Sequence, residues 1–318
     1  MIVRHDIHNH SLLSSCCYDP DATFEAFFRR AKELGHTVFG ISNHLWDEKV
    51  PGASHWYHQQ MINYGLEGAR NSVPEIDGIR FMVGSETEYC GLTDTLGMLA
   101  ETAARFDYML VPHTHMHMKN FVIAEAPDVK AKRRELADKL IAAMPELRPD
   151  LAVKMVNGIS HGDVEAMLTE RTIDVVQYNA DFMVESFKKL MNNAEFNKLK
   201  DTVPTGVAHP FHPCGFGNDM RKKIMEAVTD EAYAECFAIA RDKGVNIEIN
   251  TGAFTLTEND YAEEPGIRVM RIAREVGVKF TFGTDTHSLK GLDSIRKGDR
   301  ISELCGITED DVAEFVKA

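Results

Sequence analysis

Ile2-Val3-Arg4-His5-Asp6-Ile7-His8-Asn9-His10 begins as a strand-like run and ends in two histidines one residue apart. Side chains alternate along a strand, so His8 and His10 share a face and are placed to chelate one ion. The same text recurs downstream. Val38-Phe39-Gly40-Ile41 runs into Ser42-Asn43-His44, and Ile79 to Gly84 into Ser85-Glu86. Tyr108 to Val111 runs into Pro112-His113-Thr114-His115, and Thr205 to Ala208 into His209-Pro210. Lys279 to Gly283 leads to Thr284-Asp285-Thr286-His287. Ala152 to Val156, Asp174 to Tyr178 and Val245 to Ile249 are further strand-like runs.

Helical patterns lie between these runs. Ala22 to Leu34 reads as a helix with Gly35 near its C-cap. Others end near Arg70, span Leu96 to Arg105, and lie near 131–144, 183–199, 220–242 and 260–276. Short apolar strands alternating with helices imply parallel strands covered by helices. Metal-competent side chains follow six of the strands, at the end where a parallel barrel assembles its site. A core of satisfied histidines would not favour one end of so many strands. No glycine-rich phosphate loop or dinucleotide fingerprint follows any strand. The stretch 113–204 holds more helix than one crossover requires. It reads as an elaboration or insertion over 116–204 within a single domain, 1–318, since no linker composition marks a boundary.

The 318 residues are 44% hydrophobic, enough for a large core without disulfides. The formal charge of -14 repels a nucleic-acid backbone. The basic runs Lys130-Ala131-Lys132-Arg133-Arg134 and Arg221-Lys222-Lys223 read as solvated helix faces. Cys16, Cys17, Cys90, Cys214, Cys236 and Cys305 form no CxxC pair, which fits a reducing compartment. With no leader-like start and no long apolar run, the expectation is a cytoplasmic protein that binds no membrane.

Taken together, these motifs resemble the PHP family, the polymerase-and-histidinol-phosphatase superfamily of metal-dependent phosphoesterases. Asp6-Ile7-His8-Asn9-His10-Ser11 is similar to its first motif, Ser42-Asn43-His44 to its second and Gly84-Ser85-Glu86 to its acidic third. His209-Pro210, Glu248-Ile249-Asn250 and Asp285-Thr286-His287 follow in the family's order. The resemblance implies a distorted, TIM-like (βα)7 barrel holding two or three divalent metals. It also implies that His8, His10, Glu86 and Asp285 hold the first metal. Glu86 would bridge to a second, completed by His209 and one of His113 or His115, and His44 and His287 would belong to a third. Glu86, Asp285 and His209 are then the expected catalytic residues.

Three departures stand out. Asn43 replaces a family aspartate, an amide still able to orient His44 by hydrogen bonding. Cys16 stands at the third-metal position usually held by histidine; it is either a soft thiolate ligand favouring zinc or a buried apolar residue beside Cys17. His113, His115 and His117 offer three imidazoles where one is needed. His212 and Cys214 either line the pocket or scaffold a loop. His161 reads as a helix start. Lys154, after a strand-like run, is available to contact a phosphate or lie on the surface.

Two cations about 4 Å apart lower the pKa of a shared water towards 7 and so hold a hydroxide for attack on phosphorus. Histidines outnumber carboxylates, which suits Zn²⁺, Mn²⁺ or Fe²⁺ over Mg²⁺. The expected substrate is a small anionic phosphomonoester. The alternatives are a metal-dependent amidohydrolase, with Lys154 offered as a metal-bridging carboxylated lysine, and a non-enzymatic metal-binding regulatory domain.

Overall fold

The computed structural model describes residues 3–74, 76–255 and 264–317. Its strands are β1 (His5–Asp6), β2 (Val38–Ile41), β3 (Arg80–Glu86), β4 (Tyr89–Cys90), β5 (Thr95–Leu96), β6 (Tyr108–Val111), β7 (Thr205–Val207), β8 (Asn246–Asn250) and β9 (Phe280–Gly283). β4 and β5 form a small antiparallel hairpin. The other seven are ordered β1-β2-β3-β6-β7-β8-β9, every neighbouring pair parallel. The two edges meet where Ile7 N donates to Phe282 O (3.1 Å) and His10 N to Thr286 O (2.9 Å), nearly closing a barrel. This is the seven-stranded α/β barrel that the family resemblance implied.

The helices are α1 (Phe24–Glu33), α2 (Ile62–Asn71), α3 (Ala100–Ala103), α4 (Pro127–Ala143), α5 (Pro149–Asn157), α6 (His161–Ala166), α7 (Val175–Asn192), α8 (Ala194–Thr202), α9 (Asn218–Ala227), α10 (Asp230–Asp242), α11 (Pro265–Val276) and α12 (Lys297–Cys305). Their apolar stripes cover the strands; α11, for example, buries Ile267, Val269, Met270 and Ala273. Inside the barrel, the Tyr108 hydroxyl on β6 reaches across to donate to the Ile7 carbonyl. That crossing needs glycine at 84, where a Cβ would collide with the Tyr108 ring. No helix among the described residues is long and apolar enough to cross a membrane.

Two expected strands are helices. Ala152 to Val156 lies in α5, which starts at Pro149 and buries Ala152 and Val156, four residues apart, while Val153 faces out. Asp174 caps α7 by accepting from Gln177 N (3.0 Å). A five-residue apolar window does not separate strand from buried helix; proline and the aspartate cap decide both cases. Five helices, α4 to α8, therefore connect β6 to β7. The expected helix at Leu96 to Arg105 shrinks to α3, because Thr95 and Leu96 pair in the hairpin. The helix read over 220–242 is two, divided where Thr229 caps α10. Ile2 and positions 260–263, read as parts of a strand and a helix, lie outside the described residues.

Candidate metal centre

Every strand of the barrel contributes to one buried polar layer. His8 and His10 follow β1, and His44 follows β2, bridged to Glu86 at the end of β3. His115 follows β6, His209 follows β7, Glu248 lies in β8, and Asp285 and His287 follow β9. All but Asp285 and His287, which are half-buried, are buried.

Glu86 sits at the middle. Its Oε2 lies 3.1 Å from His8 Nε2, 3.3 Å from His10 Nε2 and 3.2 Å from His44 Nδ1. Its Oε1 lies 3.0 Å from His209 Nε2 and 3.6 Å from His115 Nε2. Asp285 Oδ1 approaches His8 Nε2 (3.4 Å) and His10 Nε2 (3.1 Å) from the other side.

Ligand-competent atoms gather in three groups, each within 4.8 Å: His8, His10, Glu86 and Asp285; His10, Cys16, His44 and His287; and His115, His209 and Cys214. The structure thus brings together His8, His10, Cys16, His44, Glu86, His115, His209, Asp285 and His287. Cys16 lies among three imidazoles, rather than packed as an apolar residue.

The groups also pass a chemical test for cations. His8 Nε2, His10 Nδ1, His44 Nδ1 and Glu86 Oε2 are buried and lack hydrogen-bond partners among the described residues. Unsatisfied buried acceptors are costly, and a shared divalent cation satisfies several at once. Nitrogen, sulfur and carboxylate donors together suit zinc or a neighbouring transition metal.

Electrostatics tie the layer together. Burial lowers the basicity of His8, but the facing carboxylates of Glu248, Asp285 and Glu86 prevail and hold it up at about 10. His115 is likewise held at about 9 against its burial, chiefly by Glu88. Burial would raise Glu86, yet His44, His8, His10 and His209 hold it well below the usual carboxylate range. The Cys16 thiol, also opposed by burial, is drawn down to about 3 by His10, His287 and His44.

A second ring of residues aims the first. Glu248 Oε1 accepts from His8 Nδ1 (2.7 Å), turning Nε2 towards Glu86, and its Oε2 accepts from His209 N (2.5 Å). Glu88 Oε2 pairs with His115 Nδ1 (2.7 Å) and accepts from the Tyr57 hydroxyl (2.9 Å). Asn250 Nδ2 donates to Asp285 Oδ2 (3.2 Å). Such partners fix imidazole tautomers and carboxylate orientation. His209 (φ 30°) and Asp285 (φ 52°) hold left-handed backbone that costs a non-glycine residue energy, as functional positions often do. Gly283 leaves room for His8 and Glu248, both of which a Cβ there would strike.

Glu88 and Glu248 carried no role in the sequence reading. Period-two alternation from Glu86 places Glu88 on the same face, and Glu248 is an acid inside an apolar strand; both signals were readable. Asn43 does not orient His44: its Oδ1 accepts from Ser11 N (2.9 Å) and its Nδ2 donates to Ser11 Oγ (3.0 Å), fixing the loop after β1.

The other expected residues fall elsewhere. His113 is enclosed by Phe187 and Phe211, with its Nε2 accepting from Phe211 N (3.2 Å), so His115 faces the layer. His212 lines a small side cavity with His209, Glu248 and Asn250; burial and His209 push its imidazole down to about 3. Lys154 is exposed on α5, with no strand end beside it. His161 starts α6 as expected, and its Nδ1 contacts Glu125 (3.1 Å).

A cavity of about 530 Å³ opens over the layer. Cys16, His44, His115, Cys214, Asp285 and His287 face it, with Trp56 and Met118 at one side. No lysine or arginine is among its lining residues.

No protein-family model and no curated protein matches this sequence. Among solved structures, the chain is similar to a histidinol phosphate phosphatase from Lactococcus lactis subsp. lactis, complexed with zinc, L-histidinol and phosphate. The TM-score is 0.56 at 15% identity, covering 96% of this chain and 94% of that one. At that identity what is shared is the fold, the seven-stranded α/β barrel.

Proposed function

We propose that this chain is a metal-dependent phosphatase that hydrolyses a small phosphomonoester, using two or three divalent cations. The observation that carries the reading is Glu86, one buried carboxylate with three imidazoles at one oxygen and two at the other. That is the environment of a bridging ligand. His8, His10, Glu86 and Asp285 would hold the first cation, Glu86, His115 and His209 the second, and Cys16, His44 and His287 the third. When bound, the cations would acidify a water and neutralise charge on the phosphoryl oxygens.

The chain's own residues supply placement. Glu248 and Glu88 orient His8 and His115, and Asn250 orients Asp285. Since no lysine or arginine is among the described residues that line the cavity, bound cations would supply most of the positive charge facing a phosphate. Trp56 and Met118 offer apolar surface to the alcohol portion of the ester. The Lactococcus phosphatase, solved with zinc and phosphate, supports the same chemistry by its fold. The amidohydrolase reading loses its bridging candidate, since Lys154 is exposed on α5.

The test pairs metal analysis with a panel of phosphomonoesters, phosphodiesters and amides, assayed with Zn²⁺ and with Mn²⁺. At least two metal equivalents, lost on replacing His8 and His10 with alanine, and turnover of phosphomonoesters are expected. A folded, metal-free protein, or cleavage of amides alone, overturns the reading.

A further inference from the structure

The loop after β7 is bent to return a second sulfur to the site. His209 (φ 30°), Phe211 (φ 58°) and Gly215 (φ 96°) all take left-handed backbone within seven residues. The turn is held by His212 N donating to His209 O (3.1 Å) and by Cys214 N donating to Thr114 O (3.1 Å), which ties it to the end of β6. Gly215 packs where a side chain would strike His117. The result is Cys214 beside two buried histidines, with ligand-competent atoms of all three within 4.8 Å.

We infer that Cys214 is a thiolate ligand of the second cation, alongside His115, His209 and Glu86. This rests on the metal-dependent reading above. Without the sulfur, the second position has two neutral imidazoles and a share of one carboxylate, whereas the first has two carboxylates. With it, the second position, His115, His209 and Cys214 on the Oε1 side of Glu86, resembles the third, where Cys16 gathers with His10, His44 and His287 on the Oε2 side. Each flanking position then has one soft, charged donor of the kind that selects zinc over manganese or magnesium. The first position, with two carboxylates and no sulfur, is the one that better accepts harder ions.

A rival role exists in the same geometry. Cys214 Sγ is 3.9 Å from His209 Nδ1, a distance at which the thiol orients the imidazole without touching the metal. X-ray absorption at the zinc edge and the charge-transfer spectrum of the cobalt-substituted protein distinguish the two without measuring turnover. The wild type, Cys16→Ser, Cys214→Ser and the double variant are compared, each fully loaded. If Cys214 ligates, C214S loses part of the sulfur shell at about 2.3 Å and part of the thiolate-to-cobalt band, and the double variant loses both entirely. A sulfur signal unchanged in C214S overturns the inference while leaving the metal site intact. Absence of bound metal in all four proteins removes the inference together with the reading beneath it.

Discussion

Histidines at the two ends of the barrel are buried to a similar degree, and what separates His5 and His36 at one end from His8 and His115 at the other is whether carboxylates face them. At the N-terminal end of the strands, His5 and His36 are 2% and 4% exposed. Burial, with no carboxylate to oppose it, pushes them down to about 3 and about 4. At the other end, His8 and His115 are 0% and 8% exposed, yet carboxylates hold them at about 10 and about 9. Burial of a histidine is therefore no sign of a metal site. The distinguishing feature is imidazoles and carboxylates that face one another without completing their hydrogen bonds. The α4–α6 region shows the contrast within charged groups: Glu125 is held by Arg133 through three contacts of 2.8–2.9 Å and by His161, so nothing there calls for an ion.

The largest effect should come from the centre of that layer. Glu86→Gln keeps the shape and removes the charge that five imidazoles face. Turnover should fall by about 10³-fold, with loss of metal and little change in fold, because developing charge in the transition state loses its bridged cations. Metal content measured beside activity checks the cause. Wild-type turnover with full metal would place the bridge on another carboxylate and dissolve the contrast between the ends.

Most of the site was legible because strand ends preserve order. Once short apolar runs are recognised as parallel strands, the residues after each belong to one face. His8, His10, His44, Glu86, His209, Asp285 and His287 follow from that rule. The choice between His113 and His115 was not legible, since residues two apart share a face of an extended run and alternation treats them alike; Phe187 and Phe211, distant in sequence, decide it. Glu88 and Glu248 fall outside that rule, because Glu248 lies within β8 and both act by holding a histidine rather than by facing the centre of the layer. Helices α5 and α7 depart from the sequence expectation for another reason. Their first apolar turns are short enough to pass for strands until the caps are weighed.

Gly283→Ala tests how tightly the inner ring is packed and should be intermediate in size. A methyl group there meets His8 and Glu248, neither of which can retreat, as both are buried and bonded to each other. Overpacking of this kind costs about 2 kcal/mol. Because His8 is displaced, the first cation should also bind more weakly. Urea unfolding together with metal titration separates the two effects. Lost stability with unchanged metal affinity would mean that Glu248 supports the barrel rather than the orientation of His8.

The smallest effect belongs to His36, and its sign is what matters. Its ordinary pKa is 6.5 and its folded value about 4, while neither ring nitrogen has a hydrogen-bond partner among the described residues. Between those values the unfolded chain binds a proton that the folded chain refuses, so acidification favours unfolding. The stability it permits is therefore complete above 6.5 and lost as the pH falls towards 4. From about pH 7.5 to about pH 5.5 the loss is about 1 kcal/mol. His36→Leu has no proton to bind and a comparable apolar volume, so it should gain on the wild type by that amount over the same interval. Urea unfolding of both metal-loaded proteins at the two pH values measures the difference, and the strong pH dependence of the metal layer cancels between them. A gap that does not change with pH would mean that His36 titrates alike in both states. The N-terminal end would then no longer illustrate what burial without carboxylates does to an imidazole, and the contrast with His8 and His115 would need another explanation.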